Sequence, residues 1–205
     1  MAYEDIVPIG TVLIVASVSF VIGTIYGNLP YDFFVLFSSE ATEAHFDAAL
    51  KHYQLWGSGP AWIIHILHFV VFLGFTGCFI KIYKPVTDIK LFEYGSLFAL
   101  LLATCVYLTN IRVGVESAVS GIWGDIDQNT GLGVIVASEL MVLVLLVGVL
   151  VLQAGMYYAT YADRKIKEEY LKGEAEEKAA AKAAKTKPTA TSTGVETRSK
   201  SKKKV

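Results

Sequence analysis

The run from Leu132 to Tyr158, LGVIVASELMVLVLLVGVLVLQAGMYY, constrains this chain more than any other stretch. Its 27 residues hold one charged side chain, Glu139, and no polar face at helical spacing. A helix in a water-soluble core carries an apolar stripe on one side and a wet face on the other. A segment that is apolar all round suits lipid, and about 20 such residues cross the ~30 Å hydrocarbon layer. The run is therefore read as a membrane span.

Three more apolar runs join it, at 6–26, 61–83 and 94–111, in a chain of 205 residues that is 54% hydrophobic. The reading is an all-α membrane protein with four transmembrane helices in residues 1–160. A charged helix follows over 161–185, then a disordered lysine-rich tail over 186–205. The opening MAYEDIVPIG lacks the basic stretch of a secretory signal, and no A-x-A-like cleavage site follows. The first span is thus expected to remain, with Pro8 in its first turn, where a missing N–H costs little.

Charge is segregated along the chain. From Asp163 onward there are 13 Lys/Arg against seven Asp/Glu, whereas the residues before it hold five against 12. With four spans, both termini and the connection after the second span share one side, which carries 16 Lys/Arg; Lys51 and Arg112 alone lie on the other. Basic residues near spans favour the cytosol, so both termini are expected there and the loops 27–60 and 112–131 in the lumen. Asn28, Asn110 and Asn129 all fail the N-x-S/T pattern. Cys78 and Cys105 both sit in apolar runs and read as packing residues rather than a disulfide framework.

In the first span, Ser19, Gly23 and Gly27 recur every four residues and put small side chains on one face. Another helix can approach such a face closely, and packing within the protein's own bundle is the plain reading. The first loop opens with a turn at Asn28 and Pro30. It continues into TEAHFDAALKHYQLW, an amphipathic helix with Thr42 as N-cap and Asp47 placed to pair with Lys51. Ser58 is expected to cap the second span and Pro60 to occupy its first turn. Trp56 and Trp62 suit the membrane interface.

Ionisable groups inside spans are functional suspects. His65 and His68 share a face of the second span, yet no other span offers a histidine to complete an axial haem pair. His45 and His52 lack a cysteine or carboxylate set at zinc spacing. Glu139 lies about two turns inside the fourth span, and Arg112 on the same side is its expected partner. No nucleophile elbow, phosphate loop or H-E-x-x-H occurs, and no pair of broken helices suggests a transporter. The residues thus read as a tetraspanning protein without catalytic machinery, cofactor or metal. A small channel, or a redox protein using His65 and His68, is the alternative. The basic tail suits anionic lipid or protein partners rather than nucleic acid. Gly173 is expected to interrupt its helix, and Lys202 and Lys203 match a di-lysine retrieval signal.

Several segments together carry a family resemblance: NLPYDFFVLF at 28–37, ALKHYQ at 49–54, KIYKP at 81–85, FEYGSL at 92–97, and LTNIRVG…WGDIDQNTGLGVIVAS across 108–138. Over roughly 5–160 the chain resembles the fungal endoplasmic-reticulum packaging chaperones of amino-acid permeases. The resemblance implies a multi-pass protein of that membrane that binds new permeases and prevents their aggregation. It also implies help in loading permeases into COPII vesicles, with the cytosolic tail facing coat components. On physical grounds, rather than from the resemblance, the small and polar residues Ser19, Gly23, Gly27, Asn110, Arg112 and Glu139 would cover client surfaces within the membrane. Asn28, Pro30, Tyr31, Asp32, Glu116, Trp123 and Gly124 would meet client loops. Glu139 stands where the resemblance suggests an uncharged polar residue, so no role is carried over to it.

Overall fold

Every regular element in the structure, a computed structural model describing residues 3–38, 40–83 and 90–185, is helical. In chain order these are α1 (Tyr3–Phe37), α2 (Glu43–Ser58), α3 (Ala61–Ile82) and α4 (Lys90–Val106), a π-helical turn (Tyr107–Ile111), α5 (Arg112–Ser120) and α6 (Gln128–Lys185). Four helical stretches are long and apolar enough to span a membrane: Ile6–Phe37, Ala61–Ile82, Lys90–Ser120 and Gln128–Lys178. The chain divides into two units, Met1–Thr160 and Tyr161–Val205.

The expected turn at Asn28–Pro30 is instead helix, and α1 runs on to Phe37. A proline inside a helix removes a backbone bond and costs ~3 kcal/mol. Side chains on this last part of α1 offset that cost by docking on α2. Tyr31 stacks on His52 with ring centroids 4.1 Å apart, and Phe34 on His45 at 4.3 Å. At its own start, α2 has Thr42 as N-cap, and the Thr42 backbone N–H donates to His45 Nδ1 at 3.1 Å. Ser58 closes α2 rather than capping α3: its hydroxyl donates to the Gln54 carbonyl, and Pro60 stands at the N-cap of α3. Among the described residues the ion pairs are Arg112–Glu116, Lys167–Asp163 and Lys178–Glu174, so Asp47 does not pair with Lys51.

The third span also outruns its expected end. The π turn adds a residue to one helical turn, and α5 then continues to Ser120, where Gly121 at φ 71° ends it in the left-handed conformation. Helix persists through the supposed loop because Gly114 lets α5 lie against Ile135; a Cβ there would collide with the isoleucine.

In lipid, apolar area alone does not hold helices together, because the surrounding tails are as apolar as leucine. Close backbone approach is one substitute. A Cβ on Gly77 of α3 would lie 2.6 Å from the Gly10 carbonyl oxygen of α1, and one on Gly74 3.2 Å from Ser17 Cβ. The Ser19/Gly23/Gly27 face does not make this contact: Ser19 is exposed, and nothing lies within 4 Å of a Cβ on Gly23 or Gly27. The bundle packs through Gly10 and Gly77 and leaves the expected small-residue face outward. Around that seam Ile14, Val18, Cys78, Leu100, Ala103, Ile135, Val142, Leu146 and Val149 form one buried cluster. Gln54 ties α2 to α5 by donating to the Ala118 carbonyl at 3.0 Å.

Within the second unit the helix passes through Gly173 without a break, and Lys167–Asp163 and Lys178–Glu174 bridge successive turns. Such exposed pairs contribute only a few tenths of a kcal/mol each.

Candidate functional site: two polar layers and a lipid-facing cleft

Two groups of buried polar side chains interrupt the apolar interior of the first unit. The first gathers α1, α2 and α6. Asn28 and Asp32 are four apart on α1, so they project from one face. Asn28 Nδ2 donates to both carboxylate oxygens of Glu139, at 3.0 and 3.2 Å. The Asn28 carbonyl oxygen lies 3.0 Å from His52 Nε2, so that nitrogen carries the proton and donates. Tyr53 donates its hydroxyl to Asp32 at 2.6 Å. Glu139 is 5% exposed and Tyr53 1%. Burial, then the neighbouring Glu139 and Asp32, push the Tyr53 phenol far above its ordinary range, so it remains a donor. Burial lowers the His52 pKa and favours the neutral ring.

The second group gathers α3, α4 and α6. Lys81, 2% exposed, donates to Gln153 Oε1 at 2.8 Å and to Met156 Sδ at 3.1 Å. Gln153 in turn donates to Ser96 Oγ at 2.8 Å, and Ser96 donates to the Phe92 carbonyl. Glu93 is buried within electrostatic reach of Lys81. Val142, Leu146 and Val149 lie between the groups along α6 and are all buried.

A cleft of about 900 Å³ runs beside the first group, walled by α1, α3, the α4–α5 stretch and α6. His68 Nε2 and the Tyr107 hydroxyl, 3.0 Å apart, meet across it. His65 is exposed at its outer end.

Of the residues singled out from sequence, Asn28, Asp32 and Glu139 come together, with Tyr31 stacked on His52 beside them. The expected Arg112–Glu139 pair does not form. Arg112 pairs with Glu116 one turn along α5, at 3.2 Å, and Glu139 takes its donor from α1. Asn110 donates to Ser138 Oγ at 3.0 Å, tying the π turn to α6. Trp123 covers Gly131 at the start of α6, and Gly124 turns the chain at φ 65°. Pro30 is exposed on α1. Lys202 and Lys203 lie outside the described residues.

The sequence reading missed Tyr53, His52, Lys81, Ser96 and Gln153 as polar partners. One signal was available: Glu139 and Gln153 are 14 residues apart, close to four whole turns, so one face of the fourth span carries both. Asp127 was missed too. It accepts from the Thr130 backbone N–H at 3.0 Å and from the Thr130 hydroxyl at 2.7 Å, which holds its carboxyl below the usual range.

No curated protein and no solved structure matches the chain. A family model described as ER membrane protein SH3 (SHR3_chaperone) matches residues 5–192, which covers all the helices described above except the first two residues of α1. With its four membrane-spanning helices, the chain belongs to this family of chaperones of the endoplasmic-reticulum membrane.

Proposed function

We propose that this chaperone serves amino-acid permeases, shielding their unfinished transmembrane helices from aggregation and favouring their loading into COPII vesicles. The observation that carries the reading is the outward face of α1. Ser19, Gly23 and Gly27 offer a shallow surface that the bundle's own packing leaves open. A permease still assembling exposes small and polar residues meant for its own later helices, and a small-residue face lets such a helix approach closely. Contacts of this kind are weak enough to release. The basic-residue count favours a cytosolic tail beyond Thr160, facing the vesicle coat, with α2 and the Gly121–Asp127 turn in the lumen.

The direct test follows tagged amino-acid permeases, beside an unrelated surface protein, in cells lacking this chain. Permeases held in the endoplasmic reticulum while the control reaches the surface are the expected result. Equal arrest of both points to a general secretory factor, and arrest of neither removes the reading. Gly23→Leu then isolates the face: it should reduce permease co-purification without altering the level of the protein. Unchanged co-purification removes that face from the mechanism.

A further inference from the structure

We propose that the cleft between α3 and the α4–α5 stretch binds a zwitterionic glycerophospholipid, with an acyl chain on the inner wall and the headgroup at Arg112 and Glu116. The cleft falls within the size range of ligand pockets as a class, about 300 to 1,000 Å³. Water gains little in such a place, since apolar cavities stay dry and take apolar guests. Hydrocarbon can reach it from the side. Phe72 and Leu108 both line the cleft and are 63% and 45% exposed, so its mouth opens on the lipid-facing surface.

Polarity along the cleft is graded as an amphiphile requires. The far end is apolar apart from Ser17, with Phe75, Leu100 and Leu146. Polar groups along the way are already engaged: Thr104 donates to the Leu100 carbonyl, His68 meets Tyr107, and Glu139 accepts from Asn28. Arg112 and Glu116 mark the other end, with Trp56 at the same end, as befits an interfacial ring. From Ala61 to Phe75 the α3 wall rises about 21 Å at 1.5 Å per residue. One leaflet supplies about half of the ~30 Å hydrocarbon layer, which leaves room for the headgroup region.

Charge decides the headgroup. Arg112 spends Nε on Glu116, and its side chain is 55% exposed, so the outer edge of the guanidinium can meet a phosphate. Glu116, 66% exposed, places a negative charge one helical turn away for the ammonium. Opposite charges at that spacing complement a zwitterion; a purely anionic headgroup would meet Glu116 unfavourably.

The test uses the full chain in phosphatidylcholine nanodiscs containing a phosphatidylcholine with a photoreactive acyl chain, and adducts are mapped by mass spectrometry. Adducts are expected on Ala103 and Leu146, which are 3% and 2% exposed, as well as on Val144, which is 64% exposed. Val71→Trp and Thr104→Trp, acting from opposite walls, should each abolish the Ala103 and Leu146 adducts and spare those on Val144. Arg112→Gln should remove the preference for phosphatidylcholine over an equally labelled diacylglycerol at the inner wall. Adducts confined to Val144 and other outward positions in the unaltered protein mean annular lipid only, and overturn the proposal. So does inner-wall labelling that survives whichever tryptophan variant folds. Stronger inner-wall labelling by an anionic phospholipid overturns the headgroup assignment.

Discussion

The two polar layers meet the same requirement with opposite chemistry. Around Glu139 the centre is an acceptor, and its donor comes from Asn28 on α1, itself held by His52 on α2. Around Lys81 the centre is a donor on α3, which leads through Gln153 to Ser96 on α4. Among the described residues only α6 contributes to both, through Glu139 and Gln153, about 21 Å apart at 1.5 Å per residue. Because apolar faces in lipid slide past one another at little cost, each layer fixes the register of a different pair of helices against α6. Damage to one layer should therefore loosen its own helices and leave the other pair in place.

Glu139→Leu tests this most severely. It strands the Asn28 amide and removes a neighbour of Asp32 and Tyr53. At about 1–3 kcal/mol for each buried group left without its partner, the loss should be on the order of 3 kcal/mol. Reversible unfolding in bicelles would measure it, and hydrogen exchange should show α2 released while α3 and α4 stay protected. Glu139→Gln should recover most of the loss, since a glutamine carbonyl still accepts from Asn28. Equal release of all helices would mean that the layers are not separate fastenings.

Gln153→Leu is the counterpart, with a smaller expected cost on the order of 2 kcal/mol, because Lys81 retains the Met156 sulfur. Here exchange should rise in α3 and α4 and not in α2. Protection of α2 falling as far as in Glu139→Leu would break the comparison from the other side.

What could be read in advance divides along the same line. The four spans were legible because continuous apolar length is a local property, and Thr42 was legible because a capping residue acts within one turn. Span ends were less so. Proline at 30 and glycine at 114 argue locally for a break, but Tyr31, Phe34 and Ile135 hold the helix through contacts far away in sequence. Glu139 could be flagged as a buried acid needing a partner, yet its partner lies 111 residues away. Arg112 was the nearest cation by topology, and a glutamate one turn along its own helix meets it first. The small-residue face misled for a related reason. Spacing marks a face that permits close approach, whereas Gly10 and Gly77 make the actual contact because α1 and α3 present those positions to each other.

The smallest expected effect concerns pH and sits at His52, in the Glu139 layer. His52 faces Asn28, Tyr31 and Tyr53, and burial sets its pKa below the ordinary 6.5. The unfolded chain therefore takes up a proton at a higher pH than the folded one. The stability that the neutral ring contributes is complete above 6.5 and is lost as pH falls through the lower folded-state value. Because the ring is partly open to solvent, screening keeps the effect small. The neutral ring's own share of the unfolding midpoint should therefore fall gently as pH drops below about 6.5. His52→Gln keeps an N–H for the Asn28 carbonyl and cannot titrate, so its slope should be flatter than that of the unaltered protein. Gln153→Leu should keep the His52 share of the slope, because no described residue of the Lys81 layer touches His52. A slope that persists in His52→Gln would assign the titration to another group and detach pH sensitivity from this layer.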